Sequence, residues 1–567
     1  LVSNGIDLEY EFPIYTAGNP AWNTADHTGA WLSNHSSPSC ALFVPADRSP
    51  TGKDLVYLGS HVSEGTHGLV WVDLEGRKVG GAVWVGGIWT GAQELALDTG
   101  SRADPTTVLY VGASFEGELR LTAITRGNPG TTKEKSVYKQ GKKEDGATND
   151  ISGLAARDGL LVCSLANAGK LLFIEGATGK LLGEAAMAEP RGLAFDAAGQ
   201  LLVLSEKRLL RFALGAASAP HLLTPPEVVE VTGLEEPARL AIGPDGSLFV
   251  SDRGRSHQVK VFAASGAPVR TIGTPGTPQA GPYDPRHMNN PAGLTVDSLG
   301  RIWVTEEDRH PKRVSLWSAD GELVKAFYGP AEYGGGGMLD PQDPTVFYYD
   351  GMQFTLDWEK GADTLTAVLW RKEMNAGLLP DGHFADGAPE YPLYAEGNKY
   401  LTNCFKTNPT SGASVATLWV VKDSRVRPVA AVGDARGWSL LKREVFKSRW
   451  PQGVDPAGDY HRNPAFCIWS DRNDDGVPQP EEVAIVAGDT GGITFLPDLS
   501  FVASRRGGKT VRFTPASYSS GGAPFYEIAA GEILATDVQA PASSGGDQAL
   551  WHPDGWTAMT AIPKPFS

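Results

Sequence analysis

The sequence predicts an all-β fold of four-stranded blades arranged as a β-propeller, on three observations. A strand–turn–strand unit recurs at a spacing suited to one blade. Apolar residues alternate as half-buried strands require. Turn-forming residues are abundant, with 68 Gly and 40 Pro among 567 residues, beside 15 Trp, 16 Tyr and 20 Phe that can anchor cores between short strands.

The repeat is clearest at Pro190-Arg-Gly-Leu, Pro237-Ala-Arg-Leu and Pro291-Ala-Gly-Leu, offset by 47 (237 minus 190) and 54 (291 minus 237) residues. Each opens an alternating strand and runs into an Asp/Gly turn that ends at Gly199, Gly246 or Gly300. A second apolar strand follows, holding Val203, Val250 or Val304. A third strand and turn complete the unit, as in Val314-Ser-Leu-Trp317 before Asp320-Gly321, and a fourth strand follows at Leu323-Val-Lys-Ala-Phe327. Four antiparallel strands joined by hairpins make one blade.

The pattern P-x-G-L-x-V-D-x-x-G-x-I-W-V resembles the NHL repeat. Weaker copies surround the clear ones, at Asp158-Gly159 with Thr178-Gly179, and at Leu69-Val-Trp-Val72 with Glu75-Gly76. The chain is also similar to large, poorly characterised, exported bacterial NHL-type propellers, an impression that the runs 329–337 and 340–344 fit. The resemblance implies a propeller outside the cell or at its surface, with the periplasm as the other location, and it implies no particular activity. The expected organisation is a lead-in segment over 1–39, an NHL-like propeller over 40–375, and further β blades or a second, incomplete propeller over 376–567.

Composition excludes several classes. Fifty Lys and Arg against 66 Asp and Glu give a net charge of −16, without the basic footprint of a nucleic-acid binder. This balance suits cations or neutral sugars better than polyanions. No apolar run is long enough to span a bilayer. Cys40, Cys163, Cys404 and Cys467 form no C-x-x-C pair, so zinc-ribbon, thioredoxin and c-type haem readings fail, and Cys163 reads as a buried thiol. The chain opens at Leu1 without Met and stops just after a strand-like run, so a piece of a longer precursor is expected.

The sharpest chemical motif is the segment 471–482, which matches D-x-[DN]-x-[DN]-G-x₅-E at every required position. It predicts Ca²⁺ held by side-chain oxygens of Asp471, Asn473 and Asp475, the Val477 carbonyl, Gln479 and a bidentate Glu482, with Gly476 at the sharp turn. An acidic hairpin without metal is the alternative. Pro478 and Pro480 argue against a flanking helix, so the loop is expected between the strand near Phe466 and the one near Val483, in a structural role.

Propeller topology sorts the remaining polar groups. The loop entering a blade's first strand and the loop joining its second and third strands open on one face, which we call the upper face. It should carry Glu306, Glu307, Asp308, Arg309, His310, Lys312 and Arg313 after Val304, and His287, Asn289 and Asn290 before Pro291. Asp252, Arg253, Arg255 and His257 belong to the preceding blade, and Glu206, Lys207 and Arg208 to an earlier one. His35, His61, Glu64 and His67 offer a second group near the N-terminus, with Trp22 and Trp31 beside His27 and His35 as stacking platforms or plain core. The mixture of His, carboxylate, Arg and aromatic groups suits a glycan or polysaccharide.

Two functions compete. A polysaccharide lyase would use His310, His35 or Tyr333 as base and Arg313 to neutralise a uronate, whereas a hydrolase would oppose Glu306, Glu307 or Asp308 to a carboxylate across the funnel. The other reading is a non-catalytic binding, adhesion or protein-interaction module of a larger surface protein. The chain has no His-Glu-x-x-His, no Gly-x-Ser-x-Gly elbow and no phosphate-binding glycine loop.

Overall fold

In the computed structural model the described residues are 37–60, 67–83, 91–101, 103–115, 117–126, 132–141, 150–216, 219–329, 337–371, 377–380, 387–404, 415–458, 463–539, 548–552 and 554–559. The chain forms two compact units, one of residues 1–278 and 284–332 and one of residues 279–283 and 333–567. The strands within 338–368, which the sequence groups with the propeller, pack in the second unit.

Among the described residues the first unit contains six antiparallel sheets, each of four strands consecutive in the chain once the five-residue excursion at 279–283 is set aside. Their first strands are Pro38–Val44, Glu94–Ala96, Gly153–Arg157, Pro190–Phe195, Pro237–Ile242 and Pro291–Val296. Each first strand touches the next, and the sixth touches the first, so the six blades close a ring around a channel. The core follows the same order, with an apolar cluster between every pair of neighbouring blades. The cluster that closes the ring joins Val56, Val70 and Val72 of blade 1 to Trp303, Val314 and Phe327 of blade 6. Arg301 Nη2 also donates to Leu74 O at 2.8 Å, and Phe43 N donates to Thr295 Oγ1 at 2.9 Å.

The repeat residues account for the blade. Gly199, Gly246 and Gly300 take φ of +81°, +83° and +75°, which the turn between first and second strands requires. The Asp before the turn holds it shut: Asp297 Oδ1 accepts from the N–H groups of Leu299 and Arg301, each at 3.0 Å. The Gly of Pro-x-Gly-Leu serves close approach between blades. A Cβ on Gly192 would lie 2.6 Å from Leu240 N, and one on Gly293 would lie 2.3 Å from Cys40 Cα.

The second unit does not repeat the four-stranded blade. Among the described residues it holds sheets of five, six and four strands and two strand pairs. The six-stranded sheet runs from Tyr391–Ala395 to Val483–Ala487 in chain order. One of its faces packs on the four-stranded sheet through Phe466, Phe501 and Phe513, and another cluster gathers Trp419, Trp438, Trp450 and Trp469. All four cysteines are buried and none is in a disulfide, Cys163 among them. Among the described residues no helix is long and apolar enough to cross a membrane.

Candidate functional site

Blade 6 places the predicted residues 306–313 at two depths. Glu306 ends its second strand and Arg313 lies in its third, directly opposite in register. Both are fully buried, and Arg313 Nε donates to Glu306 Oε1 at 2.6 Å. Ser315 Oγ donates to the same oxygen at 2.9 Å, and Asn289 N donates to Glu306 Oε2 at 2.7 Å. Arg313 spends its other donors on Pro285 O at 2.8 Å and His287 O at 2.7 Å. Burial pushes the Glu306 carboxyl upward, against the opposing pull of Arg313 and the hydrogen bonds. This is a saturated brace that fixes the 285–289 loop, not an exposed catalytic pair. His310, expected on the exposed loop, is buried as well.

Glu307 does reach the upper face. Its carboxylate pairs with Arg253 of blade 5, and each of the two side chains is about a fifth exposed. Asn290 fixes the loop, donating through Nδ2 to Glu307 O at 2.9 Å and accepting from Glu307 N at 3.0 Å. Asp252, by contrast, is buried and accepts from the N–H groups of Glu235 and Glu236 while pairing with Lys260. Glu206 and Arg208 form an exposed pair at 2.8 Å. His35, His61, Glu64, Tyr333, Trp22, Trp31 and His27 lie outside the described residues, as does the side chain of His67, whose backbone opens the strand His67–Val72.

The channel holds polar groups that the loop inventory misses. Its cavity of about 260 Å³ is lined by first strands of all six blades. Cys40, Glu94, Gly153 and Arg239 occupy one register position, opposite Gly59, Gly112, Ser164 and Ser251 of their second strands. It is the glycine position of Pro-x-Gly-Leu. Blades 3, 4 and 6 keep Gly153, Gly192 and Gly293 there, while blades 1, 2 and 5 carry Cys40, Glu94 and Arg239. The departure from the repeat at Pro237-Ala-Arg-Leu was the available signal.

Arg239 Nη2 contacts Glu94 Oε1 across the channel. Burial raises the Glu94 carboxyl to about 7, with Arg239 opposing and Glu307 adding to the rise. Burial opposes the charge on Arg239, but Glu94 and Glu307 outweigh it and hold the guanidinium above its ordinary range. The Cys40 thiol is pushed up by burial and then by Glu94, so it stays protonated, and its Sγ lies 3.4 Å from Ala92 O. Arg239–Glu94 in the channel and Arg253–Glu307 at its rim thus form one coupled group of charges.

The predicted calcium loop lies in the second unit, joining strands Ala465–Ser470 and Val483–Ala487, with a single 3-10 turn at Pro480–Glu482. Asp471 Oδ1 accepts from Asp475 N at 3.2 Å and Oδ2 from Gly476 N at 3.1 Å, while Asp475 Oδ1 accepts from Val477 N at 2.7 Å. Gly476 has φ of +71°. Glu482 Oε1 accepts from Arg472 N at 2.8 Å and keeps a lone pair, whereas Oε2 accepts from both Trp469 Nε1 at 3.0 Å and Gln479 N at 3.3 Å. The all-oxygen donor set suits a hard cation, and Gln479 Oε1 is buried without a hydrogen-bond partner. Arg427 stands against that fit, since its guanidinium contacts Asp471 Oδ2 and lies 3.2 Å from Asp474 Oδ1. Among the described residues no group of three or more His, Cys, Asp or Glu is gathered to hold a metal.

No family model matches the chain, and no curated protein matches it. Solved structures similar to it include virginiamycin B lyase from Staphylococcus aureus, at 12% identity over 55% of this chain and 91% of that one, with a TM-score of 0.33. A protein from Lactobacillus plantarum is similar at 14% identity over 55% and 96%, with a TM-score of 0.34. A protein of unknown function from Bacteroides caccae is similar at 12% identity over 52% and 94%, with a TM-score of 0.32. At these similarities the propeller assignment rests on the six closed blades themselves.

Proposed function

We propose that the chain is an exported, NHL-type binding propeller that engages a glycan on its upper face without cleaving it. The observation that carries this reading is the Arg253–Glu307 pair, about a fifth exposed to solvent on loops of adjacent blades. A partly exposed guanidinium and carboxylate offer donors and acceptors to sugar hydroxyls. Catalysis is the weaker reading, because Glu306, His310 and Arg313 are buried. A glycan array on the intact chain, followed by product analysis, tests it. Binding without turnover that falls at least tenfold in Glu307→Gln supports the module, and unsaturated products absorbing in the near ultraviolet would replace it with a lyase.

The second unit is proposed to bind Ca²⁺ at Asp471, Asn473, Asp475, Val477, Gln479 and Glu482, and the buried Gln479 oxygen supports this. The cation's part would be to cross-link the loop and stabilise the strands on either side. Ligand linkage adds about 2.7 kcal/mol at a hundredfold excess over Kd. Melting should therefore differ between calcium and chelator, and Asp471→Ala with Glu482→Ala should abolish the difference. Equal melting of the unmodified protein in both conditions would count against the site and leave Arg427 as the partner of Asp471.

A further inference from the structure

We propose that the channel of the first unit binds a small monocarboxylic acid with an apolar body, its carboxylate received by Arg239 and Glu94. Four observations lead there. The first is position: three of six equivalent slots carry side chains in place of glycine, and those three are electrostatically coupled. A blade needs none of them for its fold, since Gly153, Gly192 and Gly293 serve in the others.

The second is an unmet hydrogen bond. Arg239 Nε is buried and has no partner, whereas every donor described for Arg313 is engaged. An orphaned buried donor costs about 1–3 kcal/mol, which an incoming acceptor recovers. Glu94 Oε1 meets Arg239 Nη2 as an ion pair but takes no well-aligned hydrogen bond. Because Nη2 already meets Glu94, a ligand carboxylate would place one oxygen at Nε and take its other bond from Glu94.

The third is charge. Arg239 and Arg253 face Glu94 and Glu307, so the group is neutral with both acids ionised and carries one positive charge with Glu94 protonated. One ligand carboxylate balances it, whereas a phosphate dianion would leave an excess beside Glu307. Glu94 rises to about 7 from the ordinary 4.5, so it takes up the proton readily and can then donate to the second ligand oxygen. The groups facing it are Arg239, Cys40, Cys163, Glu307 and Arg253.

The fourth is the wall. Below the polar ring the channel is lined by Leu154, Leu193, Leu240 and Leu294 together with Thr99 and Thr295, and the four leucines suit a ring or branched chain. The cavity of about 260 Å³ limits the ligand to a compact molecule. This site is therefore separate from the glycan contact proposed at Arg253 and Glu307.

Titration calorimetry on the intact chain tests the proposal, with benzoate and 3-methylbutanoate as probes and benzamide as the uncharged control. Both acids should bind, the amide at least tenfold more weakly, and in buffers of different ionisation enthalpy binding should take up a proton. Arg239→Met should lose binding at least tenfold, while Glu206→Gln, in the exposed pair of blade 4 outside the coupled charges, stays within a few-fold. Glu94→Gln keeps a neutral donor in place, so it should bind the acids with the pH dependence removed. That variant serves if Arg239→Met does not fold. Absence of saturable binding by either acid, equal affinity for benzamide, or undiminished binding in Arg239→Met would overturn the assignment.

Discussion

Blade 6 and the channel each contain a Glu–Arg pair with little access to water, and the two pairs are finished differently. Glu306 and Arg313 are both fully buried, and the described donors of the arginine meet the glutamate or backbone carbonyls. Glu94 and Arg239 come from different blades and meet across a cavity, with one guanidinium nitrogen unsatisfied. The first pair is explained by what it holds, the loop at 285–289. The second holds no such loop. Burial alone therefore does not distinguish the two pairs; they differ in how far the donors of each arginine are engaged.

Substitution should separate the two pairs. Arg313→Met should have the largest effect, leaving Glu306 buried without a counter-charge and Pro285 O and His287 O without donors. We expect a loss of about 3–5 kcal/mol in urea unfolding. A loss no larger than that of an exposed pair would mean that water enters blade 6. Next comes the pH dependence of Glu94. Its carboxyl is raised when folded, so the native state keeps a proton that the unfolded chain gives up between pH 4.5 and about 7. Stability should fall across that window as pH rises, by on the order of 3 kcal/mol relative to Glu94→Gln, and level off above it. A flat difference between the two proteins would place Glu94 in contact with bulk water.

Arg239→Met should cost less than Arg313→Met, about 1–2 kcal/mol at neutral pH, because the stranded Glu94 can take a proton. Comparing the melting of the two variants at equal pH is the most direct test of the contrast, and equal losses would erase it. Arg253→Ala should be mildest, under about 1 kcal/mol, since its pair is part-exposed and screened. A larger loss would make the rim pair part of the framework.

Much of the first unit was legible because its information is local and repeated. Gly199, Gly246 and Gly300 sit where a positive φ is needed, and the alternation around Val203, Val250 and Val304 marks the second strands. The depth of Glu306 and His310 was not legible. Each adjoins a charged loop in sequence, and burial comes from the 285–290 segment folding over them, a long-range event. The channel residues were half-visible. Arg239 interrupts a clear copy of the repeat, but Cys40 and Glu94 lie in degraded copies whose register only the strand pairing reveals. The second unit lacks a fixed period, so its five- and six-stranded sheets could not be told from further blades.

The glycine slot also bears on how a channel of this kind gains chemistry. Codons for cysteine, glutamate and arginine each lie one base away from a glycine codon, so a duplicated blade arrives with an empty slot that a single mutation can fill. Genetic access is therefore easy, and backbone spacing is the gate. At Gly293 a new Cβ would fall 2.3 Å from Cys40 Cα, and at Gly153 one would fall 2.3 Å from Arg191 O. Those slots stay closed until neighbouring strands part. The reactive inventory of such a ring would then grow one blade at a time, in an order set by which seams between blades happen to be wide.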